Sequence, residues 1–201
     1  MWRAAWRGAY VALWRLWFRH GRGVLSRAVD RVRPRQVGTW PSFTSLDDFG
    51  RWWATHTRWK SDPLWGLVDI VASPDHARWQ WQHKGIFEDD CDGLAYMAAQ
   101  HVRSLADPGH CYVVTLLLDP FEFPNVVQGI ALGAHVLCIF RHEGEWRVLS
   151  NSELYPQSWP TFERALEENP FTRGHRVLWY ELRDADMRYL VDRKLPTAQS
   201  A

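Results

Sequence analysis

Near residue 110 the pattern of apolar residues changes. Before it they recur at three- and four-residue intervals; after it come short runs rich in β-branched and aromatic residues, over 111 to 118, 134 to 140 and 145 to 149. The last two are joined by a turn at Glu143-Gly144, which makes them antiparallel neighbours. A further helix is expected over 160 to 168, stopped by Asn169-Pro170, and a further strand over 176 to 182. Helices first and antiparallel strands afterwards predict an α+β domain. With 201 residues, 46 % of them hydrophobic, the chain has enough apolar surface for a real core.

The helices of the first half carry their own start and stop signals. Ser45 with Asp48 three residues later resembles a capping box, opening a helix through Phe49, Trp52 and Trp53 that a loop at Asp62-Pro63 ends. Ser73-Pro74-Asp75 supplies a cap, a proline at the first helical position and an acid in the first turn, and this helix, with Trp79 and Trp81, stops near Gly85. A third helix is predicted over 91 to 105, capped by Asp90 and terminated by Asp107-Pro108-Gly109.

Residues 1 to 36 differ from the rest, with nine arginines against the single acid Asp30, while the remainder has more acid than base. Over 2 to 19, Trp2, Trp6, Tyr10, Leu13, Trp14 and Trp17 fall on one helical face and Arg3, Arg7, Arg15 and Arg19 on the other, an amphipathic basic helix. A second helical stretch is expected over 24 to 32, ended by Pro34, and a linker over 33 to 42. The chain thus divides into a basic helical segment, 1 to 36, and a domain, 37 to 201. Such a helix suits three uses: lying on an anionic membrane surface, docking an acidic protein partner, or packing on the domain's own acidic surface. The acidic domain argues against nucleic acid as its ligand. Arginines interrupt every apolar core that a signal peptide would need, and no stretch approaches the ~20 apolar residues of a membrane span, so a cytoplasmic place, membrane-peripheral or within a larger assembly, is expected.

Three cysteines, an odd count without a CxxC pair, indicate neither a disulfide framework nor a zinc ribbon, and the histidines form no metal-ligand spacing; no metal or cofactor is expected. Cys91 stands at a helix start, where unpaired N–H groups and the helix dipole favour a thiolate, while the acids Glu88, Asp89, Asp90 and Asp92 oppose it, so an imidazolium partner is called for. His135 suits that role: it opens a strand behind the small residues Gly133 and Ala134. Ser150 or Asn151, ending the adjoining strand, would orient its ring. Cys111 and Cys138, in apolar strands, are expected to be core residues.

In order, residues 89 to 95 read DDCDGLA, 135 to 137 read HVL and 146 to 151 read WRVLSN. The series resembles the transglutaminase-like branch of the papain-like cysteine enzymes, particularly the bacterial transglutaminase-like cysteine proteinases. In that family a GDCxD-type block opens a helix, a histidine with small and aliphatic residues follows on a strand, and aspartate-asparagine closes the next strand. The stretch SDPLWGLVDIVASPDHA, 61 to 77, also looks like the family's approach to its cysteine, and the resemblance covers roughly residues 60 to 155. Asp89 replaces the usual glycine, Gly93 an acid often found there, and Ser150 the usual catalytic aspartate.

The resemblance implies a papain-like fold and acyl transfer from a peptide or protein amide. Cys91 would attack the carbonyl, His135 would shuttle the proton, Asn151 or Ser150 would support the ring, and Asp90 and Asp92 would support the helix start. The Cys91 N–H and Gln82 would be oxyanion donors. The alternative is a non-catalytic member of the fold, serving as a binding or assembly component, for example in a phage particle, which Ser150 in the aspartate position favours.

Overall fold

The computed structural model describes residues 2–21, 26, 28–29, 31–61 and 71–194. Helix α1, Trp2–Leu16, continues into a π-helical turn, Trp17–Gly21. Next come α2, Leu46–His56; β1, Thr57–Trp59; α3, Pro74–Lys84; β2, Phe87–Asp89; and α4, Cys91–Val102. The second half comprises β3, Cys111–Leu118; α5, Val126–Leu132; β4, Ala134–His142; β5, Glu145–Ser150; β6, Glu153–Leu154; α6, Phe162–Glu168; β7, Val177–Asp184; and β8, Tyr189–Lys194. The helix expected over 24 to 32, and the stretch 61 to 77 between Ser61 and Val71, fall largely or wholly outside the described residues.

The capping signals act as the residue types dictate. Ser45 Oγ accepts from Asp48 N at 3.1 Å, and Ser73 Oγ from His76 N at 3.3 Å. Gly85 closes α3 in the left-handed conformation, φ 73°, where a side chain would be strained. Helix α4 ends at Val102 rather than 105, followed by a tight turn with Leu105 N bonded to Val102 O at 2.8 Å.

The six-stranded sheet is antiparallel throughout, in the order β6-β5-β4-β3-β7-β8, and β1 and β2 form a separate parallel pair. Side chains alternate between its two faces, and both faces are covered. Val113, Val136, Cys138, Phe140 and Leu149 pack beneath α4 with Leu94, Ala95, Met97 and Ala98. On the other face Val114, Leu116, Leu137, Ile139 and Val148 pack with Tyr155, Trp159 and, from α6, Ala165 and Leu166. The fold is thus α+β with a sheet between two helical layers, and among the described residues no helix is long and apolar enough to cross a membrane.

Helix α1 lies on the same face as α4, over β3 and β7. Tyr10, Val11 and Phe18 form one core cluster with Leu117, Leu178 and Trp179. Each such buried side chain stabilises by about 1.5–3 kcal/mol. Of the three uses expected for this helix, packing on the domain's own acidic surface is the one observed. Arg7 reaches the fully buried Asp119 at 2.7 Å, and Arg15 and Arg19 reach Asp192 at 2.7 and 2.6 Å. Asp192 also accepts from Tyr189 Oη at 2.6 Å and Trp179 Nε1 at 3.0 Å. The segment therefore differs from a free amphipathic helix with opposed Trp and Arg faces: these arginines turn inward, and Ala5, Ala9, Ala12, Leu13 and Leu16 face solvent.

Two outcomes test this docking. Arg7→Ala, which leaves Asp119 without its counter-charge, is expected to cost about 1–3 kcal/mol in urea unfolding, less than a fully buried pair because Arg7 is partly exposed. Burial pushes the Asp192 carboxyl up, but the Tyr189 and Trp179 bonds with Arg19 and Arg15 outweigh it and hold it below the usual carboxylate range. A lowered acid contributes its stability above the unfolded-state value of about 4 and loses it as pH falls through the folded one. Asp192→Asn should therefore flatten that part of the acid-unfolding curve.

Candidate functional site

The site begins at the start of α4. Asp90 is its cap: Oδ1 accepts from Asp92 N at 3.2 Å and Gly93 N at 3.5 Å, which anchors Cys91 in the first turn. The carboxylate of Asp89 is buried beside it, held by Asp90 N at 3.1 Å and Ala72 N at 3.2 Å. It fills the space above Gly93, where a Cβ would lie 1.9 Å from Asp89 Oδ2. Aspartate at 89 and glycine at 93 are therefore sterically coupled: the acid at 89 needs the missing side chain at 93. Asp92 is buried, and Cys91 is half-buried.

His135 is the second residue of β4, and its Nε2 lies 2.9 Å from Ser150 Oγ at the end of β5. Cys138 pairs with Leu149, and this register puts Ser150 on the same face as Leu137 and His135. The ring packs against Phe171, centroids 4.2 Å apart, which no sequence signal marks. Burial drives the His135 pKa down to about 4, so the imidazole is neutral near pH 7. An imidazolium standing beside Cys91 at rest, as the sequence suggested, is thus disfavoured by the cost of burying its charge.

Strand alternation has a second consequence. The residue of β4 that packs with the α4 cluster is Val136, and His135 is on the opposite face, across from Leu116. Cys91, packed against the α4-side cluster, and His135 therefore belong to opposite sides of the strand, and what joins them is the space at its end. There they share a cavity of about 1380 Å³, walled also by Ser150, Asn151, α5 and the Trp14 and Phe18 side chains. Among the described residues the hydrogen bond to the His135 ring comes from Ser150, not from Cys91.

The other expected site residues divide. Asn151 does not support the ring: it turns the chain at φ 52°, and its backbone carbonyl accepts from Trp53 Nε1 at 2.9 Å. Gln82 is exposed on α3 and does not line the cavity, so it is no oxyanion donor; the buried glutamine of that helix is Gln80, which bonds the Glu88 backbone N and O, both at 3.2 Å. Cys138 is buried in the sheet and Cys111 half-buried beside it. Among the described residues no group of His, Cys, Asp and Glu is arranged to hold a metal ion.

With Nε2 protonated and donating to Ser150, Nδ1 carries the lone pair that can accept a proton; the opposite tautomer has Nε2 accepting from the Ser150 hydroxyl. Because the folded-state pKa of His135 lies below the unfolded value of ~6.5, the buried neutral ring gives its full stability above that value and loses it as pH falls toward the folded one. Its C2–H resonance is expected to stay flat between about pH 5.5 and 8, and Ser150→Ala to cost about 1 kcal/mol by removing the bond. A ring titrating near pH 6.5 would contradict this geometry. No family model, curated protein or solved structure matches the chain, so the meaning of the site rests on its own chemistry.

Proposed function

We propose that the chain is a cysteine-dependent acyl-transfer enzyme of papain-like, transglutaminase-like architecture. One observation carries this reading: Cys91, at a capped helix start, and the hydrogen-bonded His135–Ser150 pair line the same cavity. The thiol sulfur bonds to the carbonyl carbon of an ester or amide, and the thiol proton passes to Nδ1 of neutral His135. The carbon–oxygen or carbon–nitrogen bond then breaks, and the leaving alcohol or amine takes that proton. Water or an amine finally attacks the thioester carbonyl, giving its proton to Nδ1 of His135; the carbon–sulfur bond breaks, the acid or amide leaves, and His135 passes that proton to the sulfur, restoring the thiol. Ser150 positions the ring, in the place of the family's aspartate.

The same hydrogen bond suggests a second nucleophile, Ser150 itself, with His135 as its base. Relative acidity decides against it. A base of pKa about 4 falls ~4–5 units short of a thiol at about 8.5, but much further short of an alcohol. Cys91 is the group that so weak a base can still activate. A neutral orienting serine also stabilises an imidazolium less than a carboxylate does, so turnover should be slow compared with enzymes that keep the acid.

The experiment is acylation by p-nitrophenyl acetate followed by peptide mass mapping. An acetyl group trapped on Cys91, lost in Cys91→Ala and formed at least ~10-fold more slowly in His135→Ala, is the expected result. Acetylation of Ser150 would establish the second reading. Labelling of Cys91 no faster than Cys111 would leave the non-catalytic binding or assembly role.

A further inference from the structure

The cavity extends well beyond its reactive end, and its chemistry changes along the way. Asp90, Asp92 and Glu153 are the acids in its lining, close in sequence to Cys91 or Ser150. Away from them the described walls are mainly hydrocarbon, Trp14 and Phe18 from α1, Val127, Ile130 and Leu132 from α5, and Phe123 from the turn before it, with the His175 ring stacked on Phe123, centroids 4.7 Å apart, as a polar edge. Among the described residues no lysine or arginine lines any part of it. The arginines of α1 that face the body are engaged elsewhere, Arg7 with Asp119 and Arg15 and Arg19 with Asp192.

The apolar arm has a fixed wall and an open rim. Helix α5 sits tightly on the turn Pro120–Glu122: a Cβ on Gly129 would lie 2.5 Å from the Pro120 Cα, so backbone meets backbone there. Trp14 and Phe18 stack with centroids 5.2 Å apart. Val127 and Leu132 line the cavity yet are 76 % and 53 % exposed. Large apolar side chains at a cavity mouth are poorly placed against water and well placed against a hydrocarbon chain entering it.

We infer that this arm binds the hydrocarbon chain of the acyl group, so that the substrate is an uncharged ester or amide of a long-chain fatty acid. The inference rests on the acyl-transfer proposal for the placement of the carbonyl, but not for the arm itself. An apolar wall gains about 0.8 kcal/mol, close to fourfold in affinity, for each methylene it removes from water. The absence of lysine and arginine from the described lining, with acids at the reactive end, disfavours a free carboxylate or a phosphate-bearing acyl carrier, whose charge would lose its hydration without a permanently charged partner.

The test uses the full chain carrying Cys91→Ala, so that binding is read without turnover, and calorimetry with straight-chain primary alkanamides of four to ten carbons. The Kd is expected to fall about fourfold per methylene, and the carboxylate of the same length to bind at least ~10-fold more weakly. Ala131→Trp and Ile130→Trp, which fill the arm from two neighbouring positions, should each halt the gain at a shorter chain; far-ultraviolet circular dichroism and thermal melting identify the variant that keeps its fold. A Kd independent of chain length, or unchanged dependence in the folded variant, overturns the inference. Because Cys91 is absent, that failure leaves acyl transfer standing. Failure of the native chain to be acetylated at Cys91 sinks acyl transfer while leaving the chain-length result intact.

Discussion

Alternation of side chains along β4 governs what this site can do. The sheet is buried on both faces, so the residues of β4 are committed in turn to the α4 side and the α6 side. Val136 takes the α4 side, and His135 is left on the other with Ser150 and Phe171. A one-residue slip of β4 would exchange them, but it would also turn Leu137 and Ile139 out of one core and Cys138 and Phe140 out of the other. Packing thus overrides the shortest route between thiol and imidazole. The two groups line one cavity at the end of a strand rather than packing across a helix–sheet interface.

Burial on both sides also sets the protonation of the site. Burial keeps His135 neutral, and among the described residues no charge offsets its desolvation. The acids at the start of α4 are held by backbone: Asp89 by two N–H groups, and Asp90 as the helix cap. They stabilise the loop and the first turn, which fixes Cys91 in position. A neutral imidazole is what this burial favours.

The inward arginines of α1 follow from the same balance of charge. Asp119 and Glu181 are fully buried acids, and Arg7, Arg19 and Arg183 are their counter-ions. A basic helix beside an acidic sheet face buries Tyr10, Val11 and Phe18 and neutralises those acids in one contact. What remains outside is a face of alanine and leucine. Three of the arginines of residues 1 to 36, Arg7, Arg15 and Arg19, thus serve as counter-ions to acids of the sheet domain, and the same helix supplies Trp14 and Phe18 to the cavity.

Local chemistry was legible in the sequence. Asp90 capping α4, Ser45 and Ser73 capping α2 and α3, and strands β3, β4, β5 and β7 all depend on a few consecutive residues, whose spacing states the conformation directly. Short elements were not legible: β1 and β2 have three residues each and exist through pairing with one another, α5 has seven with a glycine inside, and β8 ends in the charged run Asp192, Arg193, Lys194. Nor was the direction of the α1 arginines, since the acids that turn them inward, Asp119, Glu181 and Asp192, lie more than a hundred residues away. The sequence by itself determined which side chains start each helix and alternate along each strand, because those are properties of neighbours in the chain. Only tertiary structure decided which face each strand presents to which helix, and hence that His135 meets Ser150 rather than Asn151. That choice minimises the apolar surface left in water over the whole sheet, a quantity that no short segment contains.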